Sequence, residues 1–255
     1  MPFLHVNHRS IPCKGILFDK DGTLLEFMAM WGAWAELVLS GMKANLASIG
    51  KDFAVDTSKL LGTEHDAEGK IIGYDPSGPL PMATMEETHG ILAWQLYTAG
   101  IPWNDALTRV IQISNEAMRE VKRRRIATPL PGLLPFLQQC AGASVKLGVV
   151  TSDESRTTAE HLEWLGITGL FGSVVTRDRV KIGKPSPEMV EMACRELGLD
   201  PQETVLIGDS NADMQMGKTA DLCMTIGIIG KDGRTEHLMD ADTIIADFTE
   251  LLITP

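Results

Sequence analysis

Past Ser144, short apolar runs recur along the chain at 145–150, 173–176, 204–207, 223–228 and 243–245. Between the first two runs, residues 154–165 carry helical spacing through Ala159, Leu162 and Leu165. Between the second and third, residues 187–197 do the same through Met189, Val190, Ala193 and Leu197, with Gly198 as a stop. Strand–helix–strand alternation builds a largely parallel sheet with helices on both faces. In such a sheet, ligands bind beyond the carboxyl ends of the strands. The residues that follow each run therefore carry the functional argument.

The earlier apolar segment Gly15-Ile16-Leu17-Phe18 runs straight into Asp19-Lys20-Asp21-Gly22-Thr23. Alternate residues of an extended chain share a side, so Asp19 and Asp21 point together beyond the strand, and Gly22 allows a sharp turn there. Two carboxylates this close repel unless a cation or a shared proton relieves them, and a divalent metal suits the pair. The plainer alternative is a strand closed by an Asp-Gly turn. The run at 204–207 also ends in acids, Asp209 and Asp213. Asp209 competes with Ser210 for the role of helix N-cap, and Asp213 lies one helical turn further on if a helix opens there. The run at 145–150 ends in hydroxyls, Thr151 and Ser152, and Lys184 stands before Pro185 and a proline-started helix. Taken alone, Lys184 is a solvated loop charge, with Lys181 as its rival.

In this order, the four segments resemble the four motifs of the haloacid dehalogenase superfamily: DxDGT at Asp19–Lys20–Asp21–Gly22–Thr23, the strand ending in Thr151, the Lys-Pro element at Lys184, and GDxxxD at Asp209 and Asp213. The resemblance implies a Rossmann-like α/β core with a parallel sheet and helices on both faces. It also implies a phosphatase that uses Mg²⁺ and an aspartyl-phosphate intermediate. Asp19 would be the nucleophile and Asp21 the general acid and base. Thr151, the Ser152 backbone N–H and Lys184 would hold the phosphoryl group. Asp19, the Asp21 carbonyl and Asp209 would bind the metal, with Asp213 doing so directly or through water. An acid at Asp21 departs from the dehalogenase branch, from the phosphonate hydrolases, which have Ala there, and from the P-type ATPases, which have Thr.

Residues 26–127 read differently, with helix-like patterning and no matching series of buried strands. Phe27, Met30, Trp31, Trp34, Leu37 and Val38 fit one apolar face, and Ile91, Trp94 and Leu96 fit another less regularly. Residues 73–81 have loop chemistry, and a small hairpin fits around 70–72. The expected organisation is a discontinuous core, 1–25 with 128–255, and a helical cap at 26–127. By its position this cap resembles the first cap type of the phosphoglycolate phosphatase-like branch. With all four motifs outside it, the cap is expected to set specificity. Trp31 and Trp34 either roof the site or pack the cap. The basic run Lys122-Arg123-Arg124-Arg125 reads as the end of a helix complementing its dipole rather than as a substrate clamp.

The chain has 255 residues and a formal net charge of −11, which excludes a general nucleic-acid binder. Its apolar runs fall far short of the ~20 residues of a membrane helix, and its start lacks an apolar signal-peptide core. Four scattered cysteines without a CxxC pair indicate reduced thiols and a cytoplasmic location. The expected partner is a small phosphorylated metabolite, and the expected state is a monomer or homodimer. The rival readings are a phosphomutase resembling β-phosphoglucomutase and a non-catalytic binding or regulatory module on the same fold.

Overall fold

Strands without a polar face are stable only when covered on both sides. In the computed structural model, six strands pair in parallel in the order Thr243–Ile245, Met224–Ile228, Thr204–Gly208, Gly15–Phe18, Lys146–Val150, Ser173–Val175. Alternation along these strands feeds two separate cores. Ile16, Phe18, Leu147, Val149, Val205 and Ile207 meet Leu133, Phe136, Leu137 and Cys140 of the helix Leu133–Gly142 on one face. Leu17, Val150 and Leu206 meet Met189, Val190, Ala193 and Leu197 of the helix Glu188–Leu197 on the other. A one-residue slip of any central strand would exchange these two sets, so both cores fix the register.

Gly15–Phe18 is a central strand, flanked by Lys146–Val150 and Thr204–Gly208, with Phe18 level with Val149 and Ile207. Successive strands in sequence run outward on one side, to Lys146–Val150 and Ser173–Val175. The chain then crosses to the other side of Gly15–Phe18, so the strand order reverses there. Such a switch point leaves a crevice at the carboxyl edge.

A second, antiparallel sheet joins Leu252–Thr254, Phe3–Val6 and Arg9–Pro12. Leu4, Val6 and Ile253 alternate inward to the first core. Asn7 and His8, at φ +44° and +65°, form the two-residue turn between the first two strands of the chain.

The structure describes residues 1–230 and 233–255. They divide into two compact units, Met1–Phe27 with Ala127–Pro255, and Met28–Ile126. The second unit is mainly helical, built on Ala33–Ala47, Met85–Thr98 and Trp103–Arg124, with a hairpin of Thr63–His65 and Ile71–Tyr74. Met30, Trp34, Val38, Met42 and Leu46 recur every four residues and are all buried. Trp34 is therefore packing, and Trp31 lies edge-on to it at 5.8 Å. The sequence pattern fails at Trp94, which is 54% exposed. The helix Met85–Thr98 buries Thr88, Leu92, Ala93, Gln95 and Leu96 instead. Arg123 and Arg124 both grip Glu120 at 2.6–2.7 Å, so this part of the basic run is an ion-paired helix end. Among the described residues, no helix is long and apolar enough to cross a membrane.

Candidate active site

The carboxyl edge of the central strands brings together Asp19, Asp209, Asp213 and Lys184. Asp19 continues the middle strand, and its N–H donates to the Ile207 carbonyl at 2.9 Å, which holds it level with the end of Thr204–Gly208. Beyond it the chain wraps around the Lys20 carbonyl, which accepts the N–H groups of Leu24 and Leu25 at 2.9 and 3.1 Å. Gly22 sits at φ +79° in this turn. A Cβ there would lie 1.9 Å from Asp209 Oδ2, so the missing side chain is what admits the Asp209 carboxylate.

On the neighbouring strand, Ser210 is the N-cap of the helix Asn211–Thr219, and Asp209 is left out of the capping role. Ser210 and Asp213 form a reciprocal capping box, in which Asp213 Oδ2 accepts from Ser210 N–H at 3.2 Å and from its hydroxyl at 2.5 Å. That pins Asp213 with its other oxygen, Oδ1, 2.6 Å from Lys184 Nζ. Lys184 also donates to Asp19 Oδ1, bridging two of the acids. Lys181 is exposed, whereas the Lys184 side chain is 6% exposed, which separates the two rivals. Glu188 fastens the Lys184 loop by accepting the N–H groups of Lys181 and Ile182 at 3.1 and 2.9 Å.

One oxygen from each of Asp19, Asp209 and Asp213 lies within 4.8 Å of the others. Burial, and then the repulsion of Asp19 and Asp213, push the Asp209 carboxyl well above its ordinary range. Burial also pushes Asp19 up, against the opposing pull of Lys184. For Lys184, burial works against the charged form, but the attraction of Asp19 and Asp213 outweighs it and the net shift is upward. The cluster thus carries more negative charge than one lysine relieves, and its donors are all oxygens.

Thr151 stands at the end of Lys146–Val150, held by its N–H to the Val175 carbonyl at 3.0 Å, and it is buried. Its hydroxyl oxygen accepts from Asp153 N–H at 3.2 Å, leaving its O–H to donate elsewhere. Ser152 beside it is exposed. Asp21 is partly buried. Its Oδ2 meets Lys20 Nζ at 2.5 Å, and its Oδ1 is buried without a hydrogen-bond partner among the described residues.

Sequence reasoning missed four residues around this edge. Lys20 and His161, both fully buried, form a polar cluster with the half-buried Asp153, and His237 Nε2 hydrogen-bonds the Asp209 carbonyl at 3.0 Å. Lys20 carried a usable signal, as a charge within an apolar strand end that requires buried partners. The others are brought in only by the fold.

Residues 13–221 match the description "haloacid dehalogenase-like hydrolase". Among individual proteins, the chain is 32% identical over 141 residues to the pyrophosphatase PpaX of Bacillus velezensis, covering 53% of this chain and 63% of that protein. For the PpaX relatives of Oceanobacillus iheyensis and Bacillus velezensis, the matched part thus spans about three fifths of their length. It is 32% identical over 250 residues to the phosphoglycolate phosphatase of Salmonella typhimurium, covering 94% of this chain and 91% of that one. A solved structure of a haloacid dehalogenase family hydrolase from Deinococcus radiodurans, with bound phosphate and sodium, superposes with a TM-score of 0.65 at 22% identity, covering 94% and 93% of the two chains. The match over most of the length, spanning the segments that carry Asp19, Thr151, Lys184 and Asp209, shows that this chain belongs to the haloacid dehalogenase-like hydrolase family.

Proposed function

We propose that the protein is a Mg²⁺-dependent phosphatase that hydrolyses a small phosphate monoester through an aspartyl phosphate on Asp19. The observation that carries this reading is the convergence of three carboxylates and Lys184 at one strand edge, with Asp21 beside them presenting an unpartnered oxygen. The donor set fits Mg²⁺: it is all oxygen, its members are crowded, with Asp19 and Asp213 buried and Asp209 half-buried, and they are held by Gly22 and the Ser210–Asp213 capping box. Asp19, the Asp21 carbonyl and Asp209 would hold the ion, with Asp213 directly or through water. When bound, it neutralises charge on the phosphoryl oxygens.

The chain's own residues supply the rest. The Asp19 carboxylate attacks phosphorus in line, so that a carboxylate–phosphorus bond forms as the ester P–O bond breaks. Asp21 gives a proton to the departing alcohol through Oδ1, the oxygen without a hydrogen-bond partner among the described residues. It then takes a proton from the water that attacks phosphorus, which releases inorganic phosphate and restores Asp19. The Thr151 hydroxyl and the Ser152 N–H hold one phosphoryl oxygen, and Lys184 offsets charge that builds up in the transition state. Similarity to a phosphoglycolate phosphatase and to PpaX supports a small phosphorylated substrate. Four free cysteines, three of them buried, support the cytoplasm as the compartment.

The test is phosphate release from a panel of phosphorylated metabolites, with Mg²⁺ and with a chelator. Release that requires Mg²⁺ is expected. An isomerised phosphate ester in place of free phosphate would identify a mutase, and no turnover of any ester would reject the phosphatase.

A further inference from the structure

Lys20 lies between the two acids of the first motif and is fully buried. Its ammonium has three N–H donors and no acceptor, and it faces three acceptors: Asp21 Oδ2 at 2.5 Å, Asp153 Oδ2 at 3.0 Å and His161 Nδ1 at 3.0 Å. Nδ1 of His161 must therefore accept, which places the ring proton on Nε2. Hydrogen bonds to Asp21 and His161 and the ion pair with Asp153 hold the fully buried ammonium away from solvent. Lys20 does not act as a second Lys184.

Its partners are themselves anchored. Asp153 is tied to the strand edge through its N–H to Thr151 Oγ1, and its carbonyl accepts from Arg177 N–H at 2.9 Å. His161 is fully buried on the helix Ser155–Trp164, its ring 4.9 Å from that of Trp164. A buried ion pair is a poor source of stability, since apolar residues of similar volume often do as well or better. A charge at this position therefore needs a reason other than folding. The geometry supplies one, because the ammonium is the hydrogen-bond partner that fixes the Asp21 carboxylate through one oxygen while the other has no partner among the described residues.

We infer that Lys20, held by Asp153 and His161, is a positioning residue that fixes Asp21 through Oδ2 and so presents Oδ1 to the leaving group and to the attacking water. This rests on the reading of Asp21 as general acid and base. It assigns separate lysines to the two acids: Lys184 contacts Asp19, and Lys20 orients Asp21.

The experiment is a double-mutant cycle on the full chain, with Lys20→Met, Asp21→Asn and both together, assayed on an alkyl phosphate monoester and on p-nitrophenyl phosphate. General acid–base catalysis contributes about 100- to 10,000-fold, so Lys20→Met should lower kcat/KM for the alkyl ester, which reports the steps up to departure of the alcohol, by about 10- to 100-fold. On p-nitrophenyl phosphate, whose leaving oxygen needs little protonation, the loss should stay within about threefold. In the Asp21→Asn background, Lys20→Met should cost less than about twofold, because the group it positions is gone. Equal losses on both esters, or losses that simply add, would overturn the inference. Should Lys20→Met unfold because the half-buried Asp153 is left without its cation, the pair Lys20→Met with Asp153→Asn removes that charge and should show the same pattern. Failure of both to fold would assign Lys20 to stability alone and overturn the inference. Asp21→Asn reports separately on the underlying reading: if it affects both esters equally, the acid role and this inference fall together, whereas a selective Asp21→Asn with an additive Lys20→Met removes only the inference.

Discussion

Gly22→Ala should inactivate the enzyme through a residue that takes no part in the chemistry. The substitution has two separable costs. The first is the backbone, since φ +79° is left-handed, and an L-residue there costs about 1–2 kcal/mol. For a chain of 150–250 residues, each kcal/mol lowers Tm by ~2–4 °C, so a fall of about 2–8 °C is expected. The second is steric: the new Cβ would sit 1.9 Å from Asp209 Oδ2 and 2.5 Å from its Cγ. Non-bonded atoms rest ~3.5 Å apart, so the carboxylate must retreat by about 1.5 Å. Misplacing a reacting group by about 1 Å costs ~100-fold, so kcat/KM should fall at least that far and the Mg²⁺ concentration needed for half activity should rise. Gly166→Ala isolates the backbone cost. Gly166 has φ +69° and open space around its Cβ position. It should show the same fall in Tm with kcat/KM unchanged. Thermal melts and Mg²⁺ titrations of both variants decide the matter. Wild-type activity and Mg²⁺ dependence in Gly22→Ala would refute the placement of Asp209 as a metal ligand.

Asp19→Asn should abolish turnover with Mg²⁺ present while leaving the melting curve nearly intact, because an amide neither attacks phosphorus nor binds the ion strongly. Trp34→Ala should destabilise the 28–126 unit by about 3–5 kcal/mol in urea unfolding, because Trp34 is buried in its core; little change would return it to a substrate role. Burial raises the thiols of Cys140 and Cys223 to about 12 and about 11. An acid whose pKa is higher in the folded state loses stability as pH rises above its unfolded value. Urea midpoints should therefore fall above about pH 8.5, by up to ~1.4 kcal/mol per thiol per pH unit. A Cys140→Ala variant should lose part of that slope, and an unchanged slope would count against the buried-thiol account.

The sheet was legible because its strands lack a polar face, a pattern that excludes most other architectures. The runs at 145–150 and 204–207 differ from the observed strands by one residue at an end. The terminal sheet was not legible, since Phe3–Val6 and Arg9–Pro12 are four-residue strands mixing His, Arg and Ser, too short for alternation to stand out. Its one local signal is Asn7, a residue suited to the positive φ of a two-residue turn. Trp94 misled because large apolar residues attract a core assignment, whereas the helix Met85–Thr98 turns it outward. At the site, chemistry-bearing side chains at strand ends could be read directly, since strand direction fixes where they point. Lys184 could likewise be chosen over Lys181 because it directly precedes Pro185. Support could not be read: the ion pair of Lys184 with Asp213 and the Lys20–Asp153–His161 cluster depend on contacts between segments.

The account stands or falls on phosphoryl transfer to Asp19. Asp21→Asn makes that step visible, because a good leaving group departs without an acid while the second step loses its base. With p-nitrophenyl phosphate labelled at phosphorus, rapid acid quench of Asp21→Asn should show label on the chain approaching one phosphoryl group per active site. The label should be released by hydroxylamine and lost when Asp19→Asn is added. A burst of p-nitrophenol with no label on the chain, or label that persists without Asp19, would contradict it.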